Sequence, residues 1–404
     1  MAAAPLSGYR VLDLSRILAG PWAGQALGDL GAEVIKVERP GQGDDTRHWG
    51  PPYLKTEDGQ NTQESAYYLS ANRNKQSLAI DISTPEGQQA IKDLVKVSDV
   101  LIENFKVGGL KKYGLDYDSL KDINPKLVYC SITGFGQSGP YSQRAGYDFM
   151  IQGMGGLMSI TGEQDQQPGG GPQKVGVAVA DVFTGLYATI AIQGALLERE
   201  RSGQGQYIDL ALFDVQAAVL ANQASNYLVG EQVPQRLGNA HPNIVPYQSF
   251  ATQDSFLILA VGNDRQFRAF VELAGKPELA DDPRFATNPA RVKNRDEICA
   301  IVAELLLQQT NEYWLEQLEK HSIPCGPINR IDEVFNDPQL VHRGMRVRMP
   351  HPQAGDVELA GNPIHYSRTP VVAEKAPPML GADSESVLKQ VLGYSDEQIN
   401  ALLG

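Results

Sequence analysis

The sequence predicts an α/β protein: a large Rossmann-like domain built on a parallel sheet, interrupted by a smaller α+β domain. Three observations predict it. Short β-branched runs alternate with amphipathic helical runs through the first 135 residues. The texture changes near residue 225 and changes back near residue 330, which sets expected domains of 1–224, 225–330 and 331–404. The chain has 404 residues, 42% of them hydrophobic, enough for more than one core.

The elements follow in order. "YRVLDLS", Tyr9 to Ser15, alternates as a strand. "GPWAGQALGDLG" reads as a short helix stopped by glycine. "AEVIKVERPG" is a second strand ending in a Pro–Gly turn, which completes a βαβ unit. "SLAIDIS" is a strand, and "TPEGQQAIKDLVKVS" a helix with Thr84 as its cap and Pro85 in its first turn. "DVLIENF", "DYDSLKDIN" and "KLVYCSITGFG" continue as strand, helix, strand. "QDQQPGGGPQ", Gln164 to Gln173, is a Gly-rich loop. A long helix then starts at Asp181 and runs to about Arg201, followed by a turn, a short strand and another helix. "YQSFATQDSFLILAVGN" reads as a β hairpin, with helical stretches at 264–275 and 294–320 behind it. The C-terminal "PPMLGADSESVLKQVLGYSDEQINALLG" is again amphipathic helix.

Composition excludes several classes. The net charge is −13, and no basic patch with interleaved aromatics occurs, so nucleic acid is not an expected partner. Three separated cysteines, Cys130, Cys299 and Cys325, form no disulfide framework and no metal-ligand spacing. That pattern suits a reducing compartment: the cytoplasm, or the mitochondrial matrix for a eukaryotic chain with a removed presequence. No metal is expected. The N-terminal residues lack the layout of a secretory signal. The apolar segment around Asp181 is long enough to span a bilayer, but a mid-span Asp costs about 3 kcal/mol, so a buried core helix is the expectation.

Motifs carry the functional reading. "GFGQSG", Gly134 to Gly139, matches GxGxxG, yet "YSQRAGYD" behind it has no apolar helical face. A Gly-rich loop is the better reading than a dinucleotide site. Glu38 ends the second strand where a ribose-binding acid would lie, and Arg39 beside it suggests a phosphate-bearing nucleotide. Asp181 is the lone charge in "VGVAVADVFTGLYATIAI". It reads either as a helix N-cap or as a nucleophile that the helix end keeps ionised, with small neighbours and Gly185 clearing space for a substrate. "NRNKQS", Asn72 to Ser77, is either a solvated turn or a phosphate cradle. Phe105 of "ENFKVGGLKKYG" could stack on a base, with Lys111 and Lys112 on phosphates.

Together "VLDLSRILAGP", "LGDLGAEVIKVERPGQGDDTR", "NRNKQS", "IENF", "SQRAGYD", the Asp181 segment with "SGQGQYIDLAL", and "CGPIN" resemble the class III CoA-transferases over nearly the whole chain. "ERPGQGDDTRHWGPP", "YCSITGFGQSGPYSQRAGYD" and "IVPYQSF" are most similar to the succinate–hydroxymethylglutarate (glutarate) branch. The resemblance implies Asp181 as a catalytic nucleophile that carries CoA as an aspartyl thioester. It implies CoA contacts at Ile17, Leu18 and Ala19, at Arg39, and at Asn72, Arg73, Asn74 and Lys75. Further contacts are implied at Asn104, Phe105, Lys106 and Lys112, and at Ala145, Tyr147 and Asp148. CoA thioesters are the implied substrates, with no permanently bound cofactor. An interlocked, ring-shaped homodimer is the implied assembly. Arg16, Arg47, His48 and Arg73 are candidate grips for the distal carboxylate of a dicarboxylic acid, and Gln248 a further substrate residue. Leu18 and "GNAHPN" depart from formyl-CoA transferase. Tyr147 and Gln248 stand where the family's α-methylacyl-CoA racemases carry His and Glu and are poor substitutes for that acid/base pair, which argues against racemisation. It stays as an alternative beside transfer to a different carboxylic acid and a non-catalytic CoA- or nucleotide-binding role.

Overall fold

In the computed structural model, which describes residues Ala3–Gly404, the chain forms two compact units. The first comprises Met1–Leu157, Val175–Gly230 and Pro338–Gly404, and the second Met158–Lys174 with Glu231–Asp337. The interruption thus begins at Glu231, not residue 225, and ends at Asp337, not 330. The Gly-rich loop at 164–173 joins the smaller unit, because Arg236 donates to the carbonyls of Glu163 and Ser159 and pairs with Asp165.

The large unit is built on β1 (Arg10–Asp13), β2 (Glu33–Glu38), the hairpin of β3 (Tyr53–Lys55) and β4 (Asn61–Ser65), β5 (Lys75–Ala79), β6 (Val100–Glu103), β7 (Val128–Thr133) and β8 (Tyr207–Ala211). Among the described residues, six of these strands make one sheet in the order β5-β2-β1-β6-β7-β8, every pair parallel. Strand order reverses between β1 and β6, so the carboxyl ends of those two strands flank a crevice. Both faces are covered, which explains the near-continuous apolar runs in the strands. On one face Leu12, Ile35, Leu101 and Tyr129 pack against the Pro85–Lys96 helix and the C-terminal Ser384–Gln390 and Asp396–Leu403 helices. On the other, Val11, Val34, Ile102 and Cys130 pack against the Ala19–Asp29 and Val179–Ser202 helices. Thr84 caps the Pro85–Lys96 helix by accepting from Gly87 N–H, as its position before Pro85 requires.

The Val179–Ser202 helix, the apolar segment that raised the membrane question, buries Ala180, Ala188, Ile192 and Leu196 in this core. Its other face leaves Phe183, Leu186, Tyr187, Ile190 and Leu197 exposed. β5 lies at the sheet edge, and the C-terminal chain covers it. Ser77 N–H donates to Asp383, Asp383 N–H donates to the Ser77 carbonyl, and Ala79 N–H donates to Ser384 Oγ.

In the smaller unit β9 (Tyr247–Ala251) and β10 (Phe256–Ala260) form the expected hairpin, and β11 (Cys325–Pro327) adds antiparallel to β10. Helices Asp264–Leu273, Arg295–Leu306 and Asn311–Lys320 bury Phe267, Phe270, Ile298 and Trp314 with Phe250 and Leu257. The single helical stretch expected at 294–320 breaks at Thr310, whose side chain caps the next helix. A final hairpin of β12 (Arg346–His351) and β13 (Gly355–Ala360) returns to the large unit, where Met349 and Val357 pack on Tyr68 and Leu69.

Candidate active site

A groove runs along the carboxyl ends of the strands at the point where their order reverses. It consists of two cavities that share Arg16, Asp45 and Phe105. The larger, about 600 Å³, lies over β2 and β1 and is lined by Arg39, His48, Phe105 and Tyr113 among others. The smaller, about 320 Å³, lies over β6 and β7. It is lined by Ile17, Leu18, Ala19, Asn104, Lys106, Arg144, Tyr147, Asp148 and Asp181.

The loop after β1 is held in an unusual shape. Ile17 has φ +70°, a left-handed backbone that a β-branched residue adopts only under constraint. The constraints are visible. Asn104 clamps Arg16 twice, its Oδ1 accepting from Arg16 N–H at 2.9 Å and its Nδ2 donating to the Arg16 carbonyl at 2.7 Å. Asp44 Oδ1 accepts from Ile17 N–H at 3.2 Å. Lys36, fully buried, pairs with Asp44 at 2.9 Å and donates to the Ser15 carbonyl at 2.8 Å. Asn104 is therefore a clamp on this loop as well as part of the cavity wall.

Asp181 lies in the first turn of the Val179–Ser202 helix, but it is not the cap. Ala178 holds the cap position with no side-chain bond. The capping carboxylate is Asp148, at the start of the Asp148–Met154 helix. Its Oδ1 accepts from Ala180 N–H at 2.9 Å and Asp181 N–H at 3.4 Å. Its Oδ2 accepts from Gln152 Nε2 at 2.7 Å, while Gln152 Oε1 accepts from Val175 N–H at 3.0 Å and so anchors the loop before the helix. The expectation that the helix end would keep Asp181 ionised is corrected. Burial, reinforced by the negative charge of Asp148, raises the Asp181 carboxyl from 3.8 to about 7.

Gly185 acts differently from the sequence expectation, while "GFGQSG" forms the expected loop. A Cβ on Gly185 would stand 2.7 Å from the Ala19 carbonyl oxygen and 2.9 Å from Trp22 Cβ, so Gly185 lets two helices touch and clears no substrate space. In "GFGQSG", no helix starts at Pro140. Gly134 instead lies against Gly146, where a Cβ would stand 2.5 Å from the Gly146 Cα. That backbone contact holds residues 144–148 against the end of β7 and accounts for Gly134 and Gly146, while Gly136 and Gly139 take left-handed φ values of +85° and +91°.

Of the expected contact residues, Ile17, Leu18, Ala19, Asn104, Phe105, Lys106, Ala145, Tyr147 and Asp148 line the cavity that holds Asp181, and Arg39 lines the adjoining one. Lys112 is exposed on the Lys111–Tyr113 turn with its ammonium 4.5 Å from the Tyr113 ring centre. "NRNKQS" is neither solvated nor a cradle. Asn72, Arg73, Asn74 and Lys75 are buried. Arg73 chelates Asp29 and donates to the Ala360 carbonyl. Asn74 bonds Asp29 and residues 372–375. Lys75 Nζ donates to Asp13 at 3.0 Å, the Pro21 carbonyl at 2.8 Å and Asn72 at 2.9 Å. Arg47 is likewise interior: it binds Glu38, Glu64, the Tyr68 hydroxyl and the Pro378 carbonyl. The donors of Arg47, Asn74 and Lys75 are all engaged, Arg73 is committed to Asp29 and the Ala360 carbonyl, and Glu38, bound to Arg47 and Ser77, is not free for a ribose. Of the candidate carboxylate grips, Arg16 and His48 remain in the groove. Gln248 belongs to β9 of the smaller unit and accepts from Cys299 Sγ. Arg144 of "SQRAGYD", which carries no signal of its own in the sequence, is an additional exposed cation on the Asp181 cavity. Among the described residues no group of three His, Cys, Asp or Glu is placed to hold a metal ion.

Comparison with known proteins matches this architecture. The chain is 54% identical to the succinate–glutarate CoA-transferase of Agrobacterium fabrum over 387 residues, covering 96% of each. It is 46% identical to the succinyl-CoA:glutarate CoA-transferase of Mus musculus over 399 residues, covering 99% of this chain and 89% of the mouse protein. The crystal structure of a CaiB/BaiF family protein from Brucella suis superposes with a TM-score of 0.85 at 52% identity, covering 96% of this chain and all of that one. With residues 6–384 matching the family pattern, the chain belongs to CoA-transferase family III.

Proposed function

We propose that the protein transfers CoA between dicarboxylic acids, from succinyl-CoA to glutarate or hydroxymethylglutarate, with Asp181 as the covalent nucleophile. The observation that carries this reading is a continuous groove, wide enough at one end for a nucleotide, that ends on a carboxylate at the head of a helix. The names of the relatives supply the substrate class.

The Asp181 oxygen attacks the thioester carbonyl carbon. The carbon–sulfur bond breaks, CoA leaves as thiolate and a mixed anhydride forms. The thiolate attacks the Asp181 carbonyl, the donor acid departs as carboxylate, and an aspartyl-CoA thioester remains. The acceptor carboxylate repeats the two steps in reverse order. Backbone N–H groups around the small cavity suit the tetrahedral oxyanions. Arg16 and Arg144 suit the distal carboxylate, while Arg39 and Phe105 suit the nucleotide end of CoA. Racemisation needs a second acid/base group opposed to Asp181 across a substrate carbon. Tyr147, at 65% exposure, is ill suited to that.

The assembly that fits is a homodimer of interlocked subunits. The exposed apolar stripe Phe183, Leu186, Tyr187 and Ile190 on the Val179–Ser202 helix supports a covered face.

The test compares glutarate with butyrate as acceptors from succinyl-CoA, in the wild type and in Asp181→Asn. Glutarate should win by at least about tenfold in kcat/KM, and Asp181→Asn should lose several orders of magnitude. Equal use of the two acceptors defeats the dicarboxylate assignment; ordinary turnover of Asp181→Asn defeats the nucleophile.

A further inference from the structure

We propose that Asp148 is a positioning residue that keeps Asp181 reactive. It occupies the N–H donors at the head of the Val179–Ser202 helix, so that Asp181 faces a fixed anion instead of a free helix end. The inference rests on Asp181 being the nucleophile and extends it to the group that sets its strength.

The geometry has three parts. First, the helix end that would stabilise a carboxylate is already taken: Ala180 N–H and Asp181 N–H both point to Asp148 Oδ1. Second, Asp148 is fixed through both oxygens, because Gln152 holds Oδ2 at 2.7 Å and is itself fully buried and tied to Val175. It cannot swing away when Asp181 ionises. Third, among the described residues no buried cation compensates the pair. The cations on the cavity, Arg16, Lys106 and Arg144, are exposed, and Arg16 is paired with Asp45 at 2.7 Å. The other elements packed on this end of the helix bring no counter-charge. The Ala19–Asp29 helix has no charged residue in its first turn, Asp214 of the Leu212–Ala218 helix is exposed, and Asp209 of β8 accepts from Gln137 N–H. Tyr67 completes the surroundings. Its phenol is raised to about 12 by burial and by Asp181 and Asp148, so it stays neutral.

The chemical consequence concerns the first step. Before attack, two negative charges stand at one helix head. When the Asp181 oxygen joins the acyl carbon, its charge passes to the departing CoA sulfur, and the repulsion from Asp148 ends. The free enzyme is thereby raised relative to the acyl-enzyme, and the Asp181 carboxylate is more basic and a better nucleophile than an ordinary one.

The test reads Asp181 itself. The full-length protein is treated with a water-soluble carbodiimide and glycinamide from pH 4 to 9. Labelling at Asp181 is followed by peptide mass spectrometry and normalised to an exposed carboxylate. The wild-type midpoint should lie near 7. Asp148→Asn keeps an oxygen for the helix N–H groups but removes the charge. It should lower the midpoint by at least about one pH unit and lower kcat/KM above pH 8 several-fold. Asp148→Glu should return the midpoint toward the wild-type value, which a merely structural role would not do. A wild-type midpoint near 4 overturns the proposal without any variant, and so does an unmoved midpoint in a folded Asp148→Asn. Labelling does not depend on turnover, so an active Asp181→Asn would sink the nucleophile while leaving this readout intact.

Discussion

Replacing Gly185 by Ala separates two effects that usually travel together. The added Cβ would lie 2.7 Å from the Ala19 carbonyl oxygen, 2.9 Å from Trp22 Cβ and 3.1 Å from Trp22 Cδ1. Comfortable separations are about 3.5–4.0 Å, so the Ala19–Asp29 helix must retreat by roughly 0.7–1 Å. Overpacking of this kind costs about 1–3 kcal/mol. Ala in place of Gly within a helix returns about 1 kcal/mol. The net loss of stability is therefore small, roughly 0–2 kcal/mol. Activity has no such compensation. Ala19 begins the displaced helix and, with Ile17 and Leu18, lines the cavity that holds Asp181. A displacement near 1 Å at a reacting centre costs about a hundredfold. The expected variant has a nearly unchanged urea midpoint and a kcat/KM reduced about ten- to a hundredfold. Wild-type kcat/KM in Gly185→Ala would refute the claim that this helix contact sets the position of the cavity wall.

Two further outcomes are expected, one from the fold and one from the proposed interlocked assembly. Arg47→Met strands Glu38 and Glu64 in the interior and should cost about 3–5 kcal/mol, read as a lowered urea midpoint or loss of soluble protein; a stable variant with only a raised acceptor KM would restore Arg47 to the substrate site. Sedimentation at nanomolar protein should show a dimer that dissociates only as it unfolds, because threaded subunits cannot part otherwise; a folded monomer at any dilution would exclude interlocking.

The regular part of the fold was legible because its signals are local. Alternating β-branched runs, Thr84 before Pro85 and the apolar helix after Asp181 each depend on neighbours a few residues away. The hairpins β3–β4 and β12–β13 were not anticipated, since they are short, half-exposed and packed on residues remote in sequence such as Tyr68. The site divided the same way. Asp181 stood out as a lone charge, and the strand ends around it followed from the alternation. The fate of Arg47 and Arg73 did not, because Glu64 and Asp29 lie 17 and 44 positions away and an arginine's pattern is the same whether it meets a ligand or a buried carboxylate. Asp148 was placed in the site, but its role as cap for a helix 32 residues downstream has no local sign. That unseen partner is why Asp181 was expected to be ionised.

The covering of β5 has a consequence for how the chain is made. The groups that satisfy the Ser77 and Ala79 amides lie at Asp383 and Ser384, 306 and 305 positions further on. Synthesis runs from the N-terminus, so once β8, the last strand of the sheet, has emerged, about 170 further residues must follow before this margin can be covered. During that interval an unpaired strand faces other nascent chains on the same ribosome cluster, where edge-to-edge joining is the hazard. Replacing Asp383 and Ser384 by Ala keeps both C-terminal helices but removes the side-chain acceptors of the Ser77 and Ala79 amides, and should raise the aggregated fraction during expression; an unchanged soluble yield would show that the margin is protected by something else. The long return of the chain acts as a late-arriving guard, and slow translation through 338–384 lengthens the unguarded period.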